Sequence, residues 1–231
     1  MALPAEALDA LRAVVLDFDG TLADTRIDFG LMRSRTRRLI QAWDLWEDRL
    51  EDGRFVLEMI RYAADKLPGG RLREQFEAEA AQMLIDVEML SCETAAPFPG
   101  AAEALDALSA RGFRLGIVTR NCRTAVSCVL ARHHLRHDAL LTRDDVERVK
   151  PEKEHLLEAL ALLGVGPREA IMVGDHRTDI ECGRAAGTWT CGVLTDKTTE
   201  AEHLAAGAHM VVATVPDLAR LLCDGSGEVR R

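Results

Sequence analysis

The stretch AVVLDFDGT, residues 13–21, decides the fold that this sequence predicts. It begins with a continuous apolar run, Ala13 to Leu16, which is too short for a helix and therefore predicts a buried strand of a parallel sheet. Side chains two positions apart point the same way on an extended chain, so Asp17 and Asp19 are expected to project together beyond this strand. Gly20 permits a close turn there. Adjacent carboxylates repel each other, which favours a role in cation binding or acid–base chemistry; the alternative is an Asp-rich turn.

The composition of the 231-residue chain limits its class of function. A hydrophobic fraction of 48% supports a well-buried core, and the length suits one large domain or a domain with an insertion. No apolar run approaches the ~20 residues that span a bilayer, and residues 1–12 lack the pattern of a signal peptide. A formal net charge of −9 offers nucleic acid no broad basic face. We therefore expect a cytoplasmic protein that has neither a membrane nor a nucleic acid as partner.

The six cysteines predict reduced, mostly buried thiols. None of them falls at C-x-x-C spacing, and no group of cysteines and histidines has the spacing of zinc ligands. A disulfide framework is not expected in a chain with so large a core.

The rest of the chain predicts two kinds of architecture in succession. Residues 29–46, 54–66 and 72–90 have the apolar spacing of three helices, with no strand between them. From Ala101 onward helices and strands alternate, which is typical of a parallel sheet covered on both faces. The predicted fold is α/β, a doubly wound parallel sheet of residues 1–22 and 98–231, with an inserted α-helical domain of residues 23–97.

Polar residues follow two further predicted strands, 113–118 and 170–173. In a doubly wound sheet the ligand crevice lies beyond the carboxyl ends of the strands, so these residues are expected to meet Asp17 there. Thr119 is suited to binding a phosphoryl oxygen, although a helix-capping threonine is the alternative. Asp175 and Asp179 are suited to a metal site beside Asp17; the alternative is a helix cap and a surface acid.

Lys150 stands immediately before Pro151. It is one of only four lysines in a chain with 25 arginines. A lysine retained where arginine is so strongly preferred indicates that a compact point charge is needed, whereas the alternative is a solvated surface lysine.

These motifs resemble those of the haloacid dehalogenase (HAD) superfamily, in the order and at the spacing of its phosphatases and phosphomutases. The resemblance rests on the DFDGT stretch that begins at Asp17, on Thr119, on Lys150-Pro151 and on residues 174–179. It leaves residues 23–97 weakly covered. It implies a Rossmann-like HAD core with an α-helical cap, of the phosphoglycolate phosphatase-like or β-phosphoglucomutase-like subgroup.

The resemblance also implies the residues that act on the phosphoryl group. Asp17 would be the nucleophile, and Asp19 would be the general acid and then the general base. Thr119, Arg120 and Lys150 would bind the phosphoryl oxygens.

A metal ion follows from the same motifs. Oxygen ligands with open positions for water and phosphate suit Mg²⁺ better than Zn²⁺ or Cu²⁺. By resemblance, the ligands would be the side chains of Asp17 and Asp175 and the backbone carbonyl of Asp19. Asp179 would then orient Asp175, Lys150 or a bound water.

The expected function is Mg²⁺-dependent hydrolysis of a small phosphorylated metabolite through an aspartyl-phosphate intermediate. A phosphomutase shares all the core motifs and stays an alternative. A catalytically silent HAD-fold protein that binds or regulates a partner is the alternative from another class. The presence of Asp19 argues against dehalogenases and phosphonatases. No role is assigned to His176, and the arginines at 33, 35, 37 and 38 favour a solvated face over a substrate clamp.

Overall fold

Residues 13–16 form an inner strand of a parallel β-sheet. The computed structural model describes residues 3–51 and 53–224. Within these residues, a six-stranded parallel sheet has the order β5-β4-β1-β6-β7-β8. Its strands are β1 (Ala13–Leu16), β4 (Arg114–Val118), β5 (Ala139–Leu141), β6 (Ala170–Gly174), β7 (Trp189–Val193) and β8 (Met210–Val212). The short strands β2 (Ala23–Asp24) and β3 (Ala96–Pro97) form a separate two-stranded sheet. The predicted α/β fold with a doubly wound parallel sheet is confirmed.

The described residues also form ten α-helices. They are α1 (Ala5–Ala10), α2 (Phe29–Ala42), α3 (Val56–Ala64), α4 (Arg71–Cys92), α5 (Ala101–Ala110), α6 (Arg123–Arg132), α7 (Lys153–Leu163), α8 (Arg177–Ala186), α9 (Glu200–Ala205) and α10 (Val215–Asp224), with short 3₁₀ helices at Asp48–Leu50 and Pro167–Glu169. No described helix combines the length and the apolar composition needed to cross a membrane.

The alternation of side chains along β1 creates a core on each face of the sheet. Val14 and Leu16 belong to an apolar cluster with residues of α5 and α10. Ala13 and Val15 belong to a second cluster with residues of α7 and α8. All four side chains are fully buried. A continuous apolar strand is therefore required at this position, because a polar residue on either face would lie in a core.

The chain divides into two compact units. The first contains the residues up to Thr25 and those from Ala95 onward, and the second runs from Arg26 to Thr94. The predicted limits of the helical insertion, residues 23 and 97, fall in the first unit because β2 and β3 pair there as a short antiparallel ladder. The function of the second unit as a cap stays a prediction.

The second unit has its own apolar core. Ile40 of α2, Met59 of α3 and Phe76 of α4 are fully buried in one cluster. The ring of Trp43 packs edge-on against Phe76, with ring centroids 5.4 Å apart.

Two arginines of the second unit pair with the same carboxylate. Arg33 and Arg37 both form ion pairs with Glu51, at 3.7 Å and 2.6 Å.

The six cysteines are free thiols, as predicted, and four of them are buried.

Candidate active site

Three neighbouring strands bring the predicted site residues to one edge of the sheet. β1 pairs with β4 on one side and with β6 on the other, with Leu16 opposite Ile117 and Val173. Asp17 follows β1, Thr119 follows β4 and Asp175 follows β6. Because the strands are parallel and in matching register, their carboxyl ends meet at this edge.

Lys150 lies between two buried carboxylates. Its Nζ atom is 2.5 Å from Oδ1 of Asp17 and 2.7 Å from Oδ1 of Asp179. Their exposed fractions are 2% for Lys150, 7% for Asp17 and 1% for Asp179. The backbone N–H of Lys150 donates to Nδ1 of the fully buried His155, at 3.3 Å. Lys150 is therefore a buried counter-ion of the two carboxylates. The alternative interpretation, a solvated lysine on the surface, is wrong.

Burial and neighbouring charges shift the pKa values of this pair. Burial raises the pKa of Asp17 most; Lys150 opposes this rise, and the surrounding carboxylates add to it, so the pKa lies well above its ordinary value. Burial alone would lower the pKa of Lys150, but Asp17 and Asp179 outweigh it and the net shift is upward. The ammonium of Lys150 therefore offsets only part of the effect that burial and the neighbouring carboxylates have on the pKa of Asp17.

Asp175 is held against the turn that follows β1. The Thr21 hydroxyl donates to Oδ1 of Asp175 at 3.2 Å and accepts from its backbone N–H at 3.0 Å. Gly20 has a φ of +87°, and a Cβ there would lie 2.5 Å from Oδ2 of Asp175, so the turn needs glycine for both its conformation and its close approach. Burial and Asp179 raise the pKa of Asp175 to about 6, against the smaller opposing effect of the Thr21 hydrogen bond.

The side chains of Asp17, Asp175 and Asp179 form an acidic cluster that fits a divalent cation. One ligand oxygen from each lies within 4.8 Å of the others. Oxygens on opposite sides of a Mg²⁺ ion lie about 4 Å apart, so the cluster matches such an ion with small movements. Burial is the main cause of the raised pKa values of Asp17 and Asp175, and neighbouring carboxylates add to it. A bound cation would favour the ionised carboxylates and so oppose both effects.

Asp19 belongs to a second group of contacts, with the turn after β4. Its Oδ2 accepts from the Thr119 hydroxyl and its Oδ1 accepts from Nδ2 of Asn121, both at 2.8 Å. The Thr119 hydroxyl also accepts from the backbone N–H of Asn121, at 3.0 Å. Thr119, predicted as a phosphate ligand, is therefore in direct contact with the predicted general acid.

His176 and Asp179 shape the beginning of α8. His176 is the N-cap residue, and its backbone N–H donates to Oδ2 of Asp179 at 3.0 Å. A Cβ at residue 174 would lie 2.2 Å from the same oxygen, which explains Gly174. Burial lowers the pKa of His176; Asp179 opposes this shift, and Arg120 adds to it. The backbone carbonyl of Arg120 accepts from Nη1 of Arg143 at 3.3 Å.

Three contacts of this region were not predicted from the sequence. The sequence predicts no hydrogen-bond partner for Thr21, which stands in the first motif. It predicts no role for Asn121 or His155. Asn121 contacts Asp19 and His155 contacts Lys150 through single polar atoms. Asn121 is adjacent to the Thr119–Arg120 motif, which is the one sequence signal that could have drawn attention to it.

Comparisons with known proteins identify relatives of this chain. The sequence model described as haloacid dehalogenase-like hydrolase matches residues 14–193. The pyrophosphatase PpaX of Bacillus velezensis is 34% identical over 195 residues, which cover 78% of this chain and 82% of that protein. The phosphoglycolate phosphatase of Aquifex aeolicus is 26% identical over 186 residues, covering 80% and 85%.

A solved structure has the same fold. It is that of a haloacid dehalogenase-like hydrolase from Bacteroides fragilis, with a TM-score of 0.68 and 26% identity. The alignment covers 90% of this chain and 99% of that one.

Proposed function

Because the chain belongs to the haloacid dehalogenase-like hydrolase family, we propose that it is a Mg²⁺-dependent phosphomonoester hydrolase for a small phosphorylated metabolite. The resemblance drawn from the motifs is confirmed at the level of the family. The predicted class of enzyme, a phosphatase of this family, is confirmed by the family match and the named relatives. The metal, the intermediate, the substrate and the roles of individual residues are parts of the proposal.

The observation that carries the proposal is the contact of Asp17 with Lys150. A carboxylate at a strand end, 2.5 Å from a buried ammonium, is held in one orientation. The same ammonium is anchored by Asp179, so that it cannot swing away with the phosphoryl group. A carboxylate held in this way is positioned to attack the phosphorus atom of a bound substrate from one fixed direction.

In the first step, a carboxylate oxygen of Asp17 attacks the phosphorus in line with the ester bond. The Asp17 O–P bond forms and the bond between phosphorus and the ester oxygen breaks. The leaving alkoxide takes a proton from Asp19 and departs as an alcohol.

In the second step, a water molecule attacks the phosphorus of the aspartyl-phosphate. Asp19, now ionised, takes a proton from this water, the bond between phosphorus and Asp17 breaks, and inorganic phosphate is released. Asp19 is protonated again and the Asp17 carboxylate is restored, so the cycle closes.

Positive groups are needed because negative charge on the phosphoryl oxygens opposes attack by a carboxylate. Lys150 provides one such charge, and Thr119 and the backbone of Arg120 provide hydrogen-bond donors at the end of β4. Asp17 and Asp175, together with the backbone carbonyl of Asp19, would hold Mg²⁺, which supplies further positive charge beside the phosphoryl group when bound. Asp179 fixes Lys150 and lies within reach of the same ion.

The names of the relatives support two substrate classes. The phosphoglycolate phosphatase supports a phosphorylated small metabolite, which is our first candidate. The pyrophosphatase supports inorganic pyrophosphate as a second candidate, since the same attack by Asp17 on phosphorus would cleave an anhydride. A phosphomutase stays an alternative, and the cytoplasmic location and the lack of a nucleic-acid partner stay predictions.

A panel assay tests the proposal. The purified chain is incubated with phosphorylated metabolites, pyrophosphate, phosphopeptides and 5′-phosphorylated oligonucleotides, with Mg²⁺ or with EDTA, and released phosphate is measured. Asp17→Asn is the control for contaminating phosphatases. We expect phosphate release from a small molecule that needs Mg²⁺ and disappears in Asp17→Asn. Phosphate release that persists in EDTA and is also seen with the Asp17→Asn variant would contradict the proposal. The absence of phosphate release from every substrate would contradict it as well.

A further inference from the structure

The orientation of the Asn121 amide is determined by its neighbours. Its Oδ1 accepts from the backbone N–H of Cys122 at 2.8 Å, which only an oxygen can do. Its Nδ2 must therefore point to Oδ1 of Asp19, where it donates at 2.8 Å. The side chain is only 4% exposed, so few other conformations are open to it.

The turn that carries Asn121 is itself fixed to the sheet. The backbone N–H of Thr119 donates to the carbonyl of Leu141 at 3.0 Å, and the N–H of Arg143 donates to the carbonyl of Asn121 at 3.2 Å. The turn is therefore bonded to the chain around the end of β5 on both sides of Arg120. A hydrogen-bond donor on such a turn is held in place, so it can orient a side chain on the neighbouring loop.

Thr119 and Asn121 differ in what they can do once a phosphoryl group is bound. A threonine hydroxyl has one proton, which Thr119 donates to Oδ2 of Asp19. If that proton is donated to a phosphoryl oxygen, as the proposed function requires, Thr119 no longer donates to Asp19. Within residues 3–51 and 53–224, the Nδ2 atom of Asn121 donates to no acceptor other than Oδ1 of Asp19, so it continues to hold that oxygen.

We propose that Asn121 is a positioning residue that holds the Asp19 carboxyl group in place while Thr119 binds the phosphoryl group. The inference rests on the proposed function, in which Asp19 transfers a proton to and from the reacting oxygens. It adds a residue outside the motifs that carry the resemblance.

Two variants separate this role from a purely structural one. Asn121→Ala removes both the donation to Asp19 and the bond to Cys122. Asn121→Asp retains an oxygen for the Cys122 N–H but replaces the donor by a second carboxylate oxygen facing Asp19. A purely structural role would make each variant lose activity equally on every substrate, whereas a positioning role makes both variants lose more where Asp19 must protonate the leaving group.

The experiment compares kcat/KM for p-nitrophenyl phosphate with that for the best alkyl phosphate of the panel, in the wild type and both variants. The nitrophenolate ion is a weak base and can leave without a proton from Asp19. An alkoxide is a strong base and leaves only when Asp19 protonates it. We expect both variants to lose about tenfold to a hundredfold more on the alkyl phosphate than on the aryl phosphate. Thermal unfolding of each variant is measured alongside.

Two results would overturn the inference while leaving the proposed function intact. One is an equal loss on both substrates, which indicates a general disturbance of the site. The other is an Asn121→Asp variant that matches the wild type on the alkyl phosphate. A wild type that hydrolyses neither substrate would overturn the proposed function, and the inference with it.

Discussion

The ammonium of Lys150 lies 2.5 Å from the carboxylate of Asp17, and both side chains are buried at the edge of the sheet. The two residues come from separate loops, one after β1 and one before α7. Asp179 holds the same ammonium at 2.7 Å, so the surrounding fold sets the orientation of the Asp17 carboxylate. The first prediction tests this relationship directly.

Replacing Lys150 by Met should reduce both activity and stability. Methionine has a similar length but leaves the carboxylates of Asp17 and Asp179 without their ammonium. Breaking a buried ion pair by removing one partner costs about 3–5 kcal/mol, so the free energy of unfolding should fall by that order. Urea denaturation measures it. The exposed Lys197→Met is the control and should unfold as the wild type does. A Lys150→Met protein of unchanged stability would show that the pair is not formed.

Mg²⁺ should stabilise the folded chain even when no substrate is present. At a concentration one hundredfold above its dissociation constant, a ligand specific to the folded state adds about 2.7 kcal/mol. The rise in unfolding temperature should shrink strongly in Asp175→Asn, which lacks one charge of the cluster. The exposed Asp196→Asn should retain it. Equal rises in all three proteins would place the ion elsewhere.

Gly20→Ala should inactivate the protein, because the new Cβ would meet the Asp175 carboxylate. Gly112→Ala provides a matched control, since its φ is +94° and nothing lies within 4 Å of the added Cβ. Both variants should lose about 1–3 kcal/mol from backbone strain. Only Gly20→Ala should also lose phosphatase activity and stabilisation by Mg²⁺. Full activity in Gly20→Ala would mean that the close approach to Asp175 is not needed.

His155 should make stability depend on pH. Burial, with a contribution from Lys150, lowers its pKa to about 3 in the folded chain, against about 6.5 in an unfolded chain. Below pH 6.5 the unfolded state therefore binds a proton that the folded state does not, and stability is lost as the pH falls toward 3. Between pH 6.5 and 5, the wild type should lose about 1.6 kcal/mol more than His155→Leu. The exposed His134→Gln should follow the wild type, whereas parallel curves for wild type and His155→Leu would contradict the prediction.

The sheet could be predicted because its strands have a local signature. β1, β4 and β6 are apolar runs that end at polar residues, and parallel pairing then brings those ends together. The β2–β3 ladder could not be predicted. Ala23 and Pro97 pair across a long insertion, in strands of two residues that have no alternating pattern. The helix α1 at Ala5–Ala10 was likewise not anticipated.

The same distinction applies to the candidate site. Asp17 and Lys150 stand in motifs that are recognisable along the chain, whereas Asn121 and His155 matter through single contacts, with Asp19 and with the backbone of Lys150. Asparagine after a strand and histidine in a helix are common, so residue type alone gives no indication of such contacts. The bond from Asn121 to Asp19 depends on how two loops meet, which no local pattern encodes.

The central claim is that Asp17 becomes phosphorylated, and trapping in Asp19→Ala tests it most directly. With p-nitrophenyl phosphate, the first step needs little help from an acid, but hydrolysis of the intermediate lacks its base, so the phosphorylated form should accumulate. Acid quenching and borohydride reduction convert an aspartyl-phosphate to homoserine, which peptide mass spectrometry locates. We predict homoserine at position 17, and none when the substrate is omitted. Release of p-nitrophenol with no homoserine at position 17, or with the reduced residue elsewhere, would contradict the claim.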